Sequence, residues 1–105
     1  MDIKDYQNYV NEGASVKYND LKFCALAMVG EVGEVCDVIK KAGIYTEQNI
    51  DVKEKIKDEL GDVLWQYTAL VNTVGLTFEE IINYNVDKLN KRHGDAKLDL
   101  TGGKR

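Results

Sequence analysis

Two short acidic strings carry the residues best placed to do chemistry: Glu31-Val-Gly-Glu34 and Glu59-Leu-Gly-Asp62. A spacing of three puts both carboxylates of a pair on one side of a helix, one nearly above the other. Like charges so placed repel, and helix propensity gives no reason for them. A bound cation turns that repulsion into a gain, since carboxylates crowded in one groove cannot all stay ionised without one. Their hard oxygens suit magnesium, with manganese an acceptable substitute, and such ions hold substrate phosphates together with a few carboxylates and water. The chemistry this predicts is metal-assisted hydrolysis of a phosphoanhydride, with Glu31, Glu34, Glu59 and Asp62 as metal-binding and catalytic residues. One such pair is ordinarily a solvated helix face. Two pairs of the same form, both beside an apolar stripe, are harder to explain that way.

A basic strip complements them. Asn85, Lys88 and Arg92 fall at i, i+3 and i+7 and share one helix face. Lysine and arginine grip phosphate oxygens, and asparagine can hydrogen-bond a sugar or a phosphate. Trp65 is a candidate for contact with a nucleobase, although an aromatic residue inside an apolar pattern is more often core. His93, the one histidine, sits beside Gly94 and reads as a partner of a helix C-terminus rather than a catalyst.

Four helices must position these groups. The first is expected from about Asp2 to Val16, with Ile3, Tyr6, Val10 and Ala14 on one face. The second starts after Asn19 or Asp20, either of which can cap it, and stops at Gly43; its stripe runs from Leu21 through Cys24, Met28, Val32 and Val35 to Ile39. The third opens at Asp51 with Glu54 in a capping-box-like position and ends at Gly75. Thr77 and Glu80 form a capping box for the fourth, which Gly94 closes. At 100° per residue, Glu31 and Glu34 lie about 60° and 120° from Met28, and Glu59 and Asp62 about 100° and 160° from Leu60. Packing the two stripes together brings both pairs to the groove beside the seam. Short connections between long amphipathic helices predict an all-α, four-helix-bundle-like subunit.

The 105 residues hold one domain, expected over 1–94, followed by a flexible tail over 95–105 or an arm ordered by a partner subunit. There is no proline to interrupt a helix. A net charge of −4 argues against duplex nucleic acid or an anionic membrane as a partner of the whole surface. Cys24 and Cys36, twelve positions apart on one helix, stand about 18 Å from each other, too far for a disulfide. That, and charges interrupting every apolar stretch, make the cytoplasm the expected setting.

The combination resembles a known family. Glu31-x-x-Glu34 followed by Glu59-x-x-Asp62, within the strings GEVGEVCDVIKK and KDELGDVLWQ, is similar to the signature of the MazG-like nucleotide pyrophosphohydrolases of the all-α NTP pyrophosphatase superfamily. Asn85-x-x-Lys88-x-x-x-Arg92 resembles that family's downstream phosphate-binding strip. The resemblance spans roughly Leu21 to Arg92. It implies cleavage of a nucleoside triphosphate between the α and β phosphates, magnesium as cofactor, and a homodimer or homotetramer. It implies metal on Glu31, Glu34, Glu59 and Asp62 and phosphate on Lys88 and Arg92, with one carboxylate able to orient water instead. The competing reading is a non-catalytic helical oligomerisation or adaptor module with an acidic, metal-binding groove.

Overall fold

The computed structural model describes residues 1–13, 20–44 and 51–94. They form four α-helices: α1 (Ile3–Gly13), α2 (Leu21–Ile44), α3 (Val52–Val74) and α4 (Phe78–His93). Among the described residues there is no strand, so the all-α architecture expected from the periodicity holds. The remainder of the expected first helix and the tail over 95–105 lie outside the described residues.

The ends of the helices follow from their terminal residues. Asp2, Asp20 and Asp51 each accept a hydrogen bond from the backbone N–H three positions on, at 2.8, 3.0 and 3.1 Å, satisfying a donor that the first turn leaves unpaired. At Asp51 the capping box is one-sided, because the Glu54 side chain turns to Lys57 at 2.8 Å instead of reaching back. α3 ends at Gly75, whose φ of 80° is left-handed. The Gly75 N–H donates to the Asn72 carbonyl and the Leu76 N–H to the Val71 carbonyl, both at 3.1 Å, so the last carbonyls of α3 are paired. Thr77 then starts α4 with a full capping box: the Glu80 N–H donates to Thr77 Oγ1 at 3.1 Å and the Thr77 N–H to Glu80 Oε1 at 2.8 Å. Gly43 does not stop α2, which continues to Ile44. A glycine inside a helix costs about 1 kcal/mol and does not by itself break it.

α2 and α3 make the largest interface, α1 lies against α3, and α4 rests on α1. The α2–α3 pair is antiparallel: Cys24 near the start of α2 meets Thr73 near the end of α3, Sγ to Oγ1 3.8 Å, while Glu31 meets Glu59 and Asp62 further down. A polar clasp fixes α1 to the α3–α4 corner. Gln7 Nε2 donates to Asn72 Oδ1 at 2.9 Å and to the Leu76 carbonyl at 2.7 Å, and Asn72 Nδ2 donates back to the Gln7 carbonyl at 3.1 Å.

The core is small. Val10, Cys24 and Ala69 are buried together, with Tyr6, Trp65 and Leu70 packed against them. The apolar stripes are covered only in part. On the α2 stripe Leu21 is 51% exposed and Ile39 53%, and on α3 Leu60, Leu64 and Val74 are exposed too, as are Leu26 and Val29 off the stripe. The four helices of a 105-residue chain enclose only part of its apolar surface.

Candidate metal centre

Glu31 stands on α2, one side of the hairpin; Glu59 and Asp62 stand one turn apart on α3, the other side. Each offers a carboxylate oxygen, and the three oxygens lie within 4.8 Å of one another. Glu31 and Glu59 are half-buried and Asp62 is exposed, so the cluster opens to solvent on the Asp62 side. Glu34 lies outside this group of three and is exposed. Its charge nevertheless reaches the site. Burial first, then the carboxylates of Asp58, Asp62, Glu34 and Glu31, raise the Glu59 carboxyl above the usual carboxylate range.

Among the described residues the ion pairs are Lys41–Asp37 at 3.0 Å and Lys57–Glu54 at 2.8 Å, both away from the cluster. The repulsion among Glu31, Glu59 and Asp62 is thus unrelieved by a basic side chain. A donor set of three carboxylates on two packed helices, all oxygen and all acceptor, fits a hard divalent cation.

The sequence marked neither of two further groups, Tyr6 and Gln66, as functional. The Tyr6 hydroxyl on α1 is raised above its ordinary value by burial, then by Tyr9, then by the charge of Asp62. Gln66 follows Asp62 by one turn on α3 and is only 6% exposed. In the sequence Tyr6 was one of an apolar stripe and Gln66 an isolated polar residue; a glutamine one turn beyond an acidic pair on the same face was the available signal.

The other expected residues sit elsewhere. Trp65 is half-buried and packs on the core, edge-on to Tyr9 with ring centroids 6.1 Å apart and planes at 84°. Gly13 comes so close that a Cβ there would stand 3.1 Å from Trp65 Cη2, so the indole seats α1 on α3. Asn85, Lys88 and Arg92 are exposed on α4. Lys88 and Arg92 line a shallow groove with Tyr84, Asp87 and Lys91, and Asn85 lines an adjoining one; no member of the acidic cluster lines either. Within one subunit the structure brings together Glu31, Glu59 and Asp62, but not the acidic cluster and the basic strip.

Comparison with known proteins gives the arrangement a family. The chain is 26% identical over 102 residues to the Gene 37 protein of Mycobacterium phage L5, covering 92% of this chain and 87% of that one. No solved structure matches it. The sequence model of the MazG nucleotide pyrophosphohydrolase domain matches residues 21–96, a span that takes in both helices of the acidic hairpin and the whole of α4. The chain belongs to the family of MazG nucleotide pyrophosphohydrolase domains.

Proposed function

We propose that this chain is a magnesium-dependent nucleoside triphosphate pyrophosphohydrolase, cleaving between the α and β phosphates to give a nucleoside monophosphate and pyrophosphate. The observation that carries the reading is the convergence of Glu31, Glu59 and Asp62 from two helices within 4.8 Å, with no basic side chain among the described residues to neutralise them. Family membership supports the reaction class.

Glu31, Glu59 and Asp62 would hold the cation, and Glu34, close enough for its charge to act on Glu59, completes the acidic wall. When bound, magnesium or manganese polarises phosphoryl oxygens and makes attached water more acidic. One carboxylate of the acidic wall can orient the attacking water and take its proton instead of holding the cation. Lys88 and Arg92 are assigned to the phosphates and Asn85 to sugar or phosphate. Trp65 has its packing role in the core, and a nucleobase would meet only the part of the ring left open.

We assign the strip to the site of a second subunit, because no member of the acidic cluster lines the grooves that Asn85, Lys88 and Arg92 line. The exposed apolar residues of α2, α3 and α4 support a homodimer or homotetramer that would cover them. Among the described residues no helix is long and apolar enough to cross a membrane, in keeping with a cytoplasmic enzyme acting on a free nucleotide.

The test is product analysis with a panel of ribo- and deoxyribonucleoside triphosphates, first with magnesium and then with EDTA. Monophosphate and pyrophosphate appearing together, and only with the metal, is the expected result. Release of inorganic phosphate instead, or turnover that EDTA leaves intact, would overturn the proposal.

A further inference from the structure

Three aromatic side chains gather next to the open side of the acidic cluster. Trp65 follows Asp62, the exposed member of the cluster, by three positions on α3. That spacing makes the two side chains neighbours, with Cβ atoms about 5–6 Å apart. From α1, Tyr9 meets the Trp65 indole edge-on with ring centroids 6.1 Å apart, and Tyr6 stands 6.1 Å from Tyr9 at a tilt of 35°. The charge of Asp62 acts on the Tyr6 hydroxyl as well. The rings differ in how far the core explains them. Trp65 and Tyr6 pack against Val10, Cys24 and Ala69. Tyr9 is 55% exposed, so packing accounts for only part of its ring. A lone exposed tyrosine is ordinary surface. One held by two other rings, a turn away from converging carboxylates, keeps a flat apolar face ready for a flat ligand.

We propose that Tyr9 is the nucleobase platform of the site, the base stacking on its ring beside the open part of Trp65. The phosphates then reach the acidic cluster past Asp62. The inference rests on the nucleotide reading of that cluster and deepens it by naming what holds the base. Every base has a π face, so stacking on a tyrosine adds affinity while choosing little among bases. The substrate class this implies is an aromatic nucleotide, purine or pyrimidine. The competing platform is Tyr84, 71% exposed on α4, but the grooves it lines include no member of the acidic cluster.

The experiment is calorimetric binding to the full chain, with magnesium, of the uncleavable α,β-methylene analogues of ATP and CTP and of inorganic tripolyphosphate, which has no base. Tyr9→Leu removes the ring and keeps an apolar side chain; Tyr9→Phe keeps the ring. Tyr9→Leu should bind both analogues about tenfold more weakly and tripolyphosphate as the wild type does, while Tyr9→Phe should match the wild type throughout. Trp65 is the sole tryptophan of the chain, so its emission reports on the platform directly. Saturating analogue should change it and saturating tripolyphosphate should not. Unchanged affinity for the analogues in Tyr9→Leu would overturn the proposal. So would an equal loss for tripolyphosphate, which would mean a disturbed site rather than a lost stack, or a loss confined to Tyr84→Leu. If Tyr9→Leu does not fold, wild-type Trp65 emission that neither analogue alters overturns the proposal by itself. A wild type that binds neither the analogues nor tripolyphosphate would instead refute the nucleotide reading of the cluster.

Discussion

The acidic cluster of the α2–α3 hairpin and the basic strip of α4 carry opposite charges and are held in opposite ways. Glu31 and Glu59 are half-buried on two helices that share the largest interface in the molecule, and their oxygens converge without help from another chain. α4 has no buried residue; it is fixed firmly at its start, by the Thr77 capping box and the Gln7 clasp, while Asn85, Lys88 and Arg92 project into solvent further along. The acidic half of the candidate site is thus assembled within one chain. The half that would hold phosphate is presented outward. Carboxylates brought together at this distance cost free energy until a cation arrives, so only rigid, packed elements can impose it. Exposed cations cost little to display and need no such packing.

Replacing a converging carboxylate should have the largest effect. Glu59→Gln keeps the shape of the side chain and removes both the charge and the proton acceptor. Pyrophosphate release should fall by at least about a hundredfold, more than the loss expected for a group beyond the ligands, with the helical circular dichroism unchanged. A variant retaining most of its activity would take Glu59 out of the site and leave the hairpin no more functional than α4.

The basic strip should respond more mildly and in a different parameter. Lys88→Ala and Arg92→Ala each remove a charged hydrogen-bond donor to phosphate, so the KM should rise about tenfold with little change in kcat. Mixing sharpens the comparison further. If the strip reaches the acidic cluster of a neighbouring subunit, inactive Glu59→Gln chains and Arg92→Ala chains, unfolded and refolded together, should recover activity that neither has alone at low substrate. Failure to recover any would return the strip to its own subunit or to ordinary surface.

Local signals made the frame legible in the sequence. Asp51, Gly75 and the Thr77–Glu80 pair each act within a few residues, and all three set helix ends where their chemistry indicates. The acidic cluster was legible for a similar reason, since two i, i+3 pairs on adjacent helices meet if the stripes beside them pack. Which carboxylates meet was not legible. Glu31 falls opposite Glu59 and Asp62 while Glu34 falls one turn beyond, and that depends on the sliding register of α2 against α3, which no single helix encodes. That Gln66 would be buried with its Oε1 unpaired was not legible either, since it is a property of the packed helices. The exposure of Leu21, Ile39 and Leu60 was hidden as well: an apolar stripe shows that a face is to be covered, not whether the cover comes from the same chain.

The anchoring of α4 can be loosened without touching either half of the site. Thr77→Ala removes the side-chain acceptor for the Glu80 N–H and should cost about 1 kcal/mol of stability, read from denaturant unfolding. If α4 serves the site, the KM should rise slightly with it, from fraying of the first turn; a stability loss with unaltered kinetics would mark the helix as structural only.

The smallest effect expected distinguishes the two regions by pH. The folded chain raises the Glu59 carboxyl above its ordinary value, chiefly through burial and neighbouring carboxylates. Between the ordinary and the raised value the native state therefore holds more protons than the unfolded one, and the stability that protonated Glu59 contributes is lost as pH rises through that window. Comparison with Glu59→Gln isolates this contribution from the other carboxylates. Without metal, the wild-type melting temperature should fall relative to the variant as pH climbs from the acid side to neutrality. Magnesium at neutral pH should reverse the fall in the wild type and do less for the variant, because the cation replaces the proton as the neutralising charge. The same comparison for Lys88→Ala should show no such window, since Glu59 is intact in both chains. Parallel curves for wild type and Glu59→Gln would mean that the carboxylates of the hairpin are as independent of one another as the cations of α4.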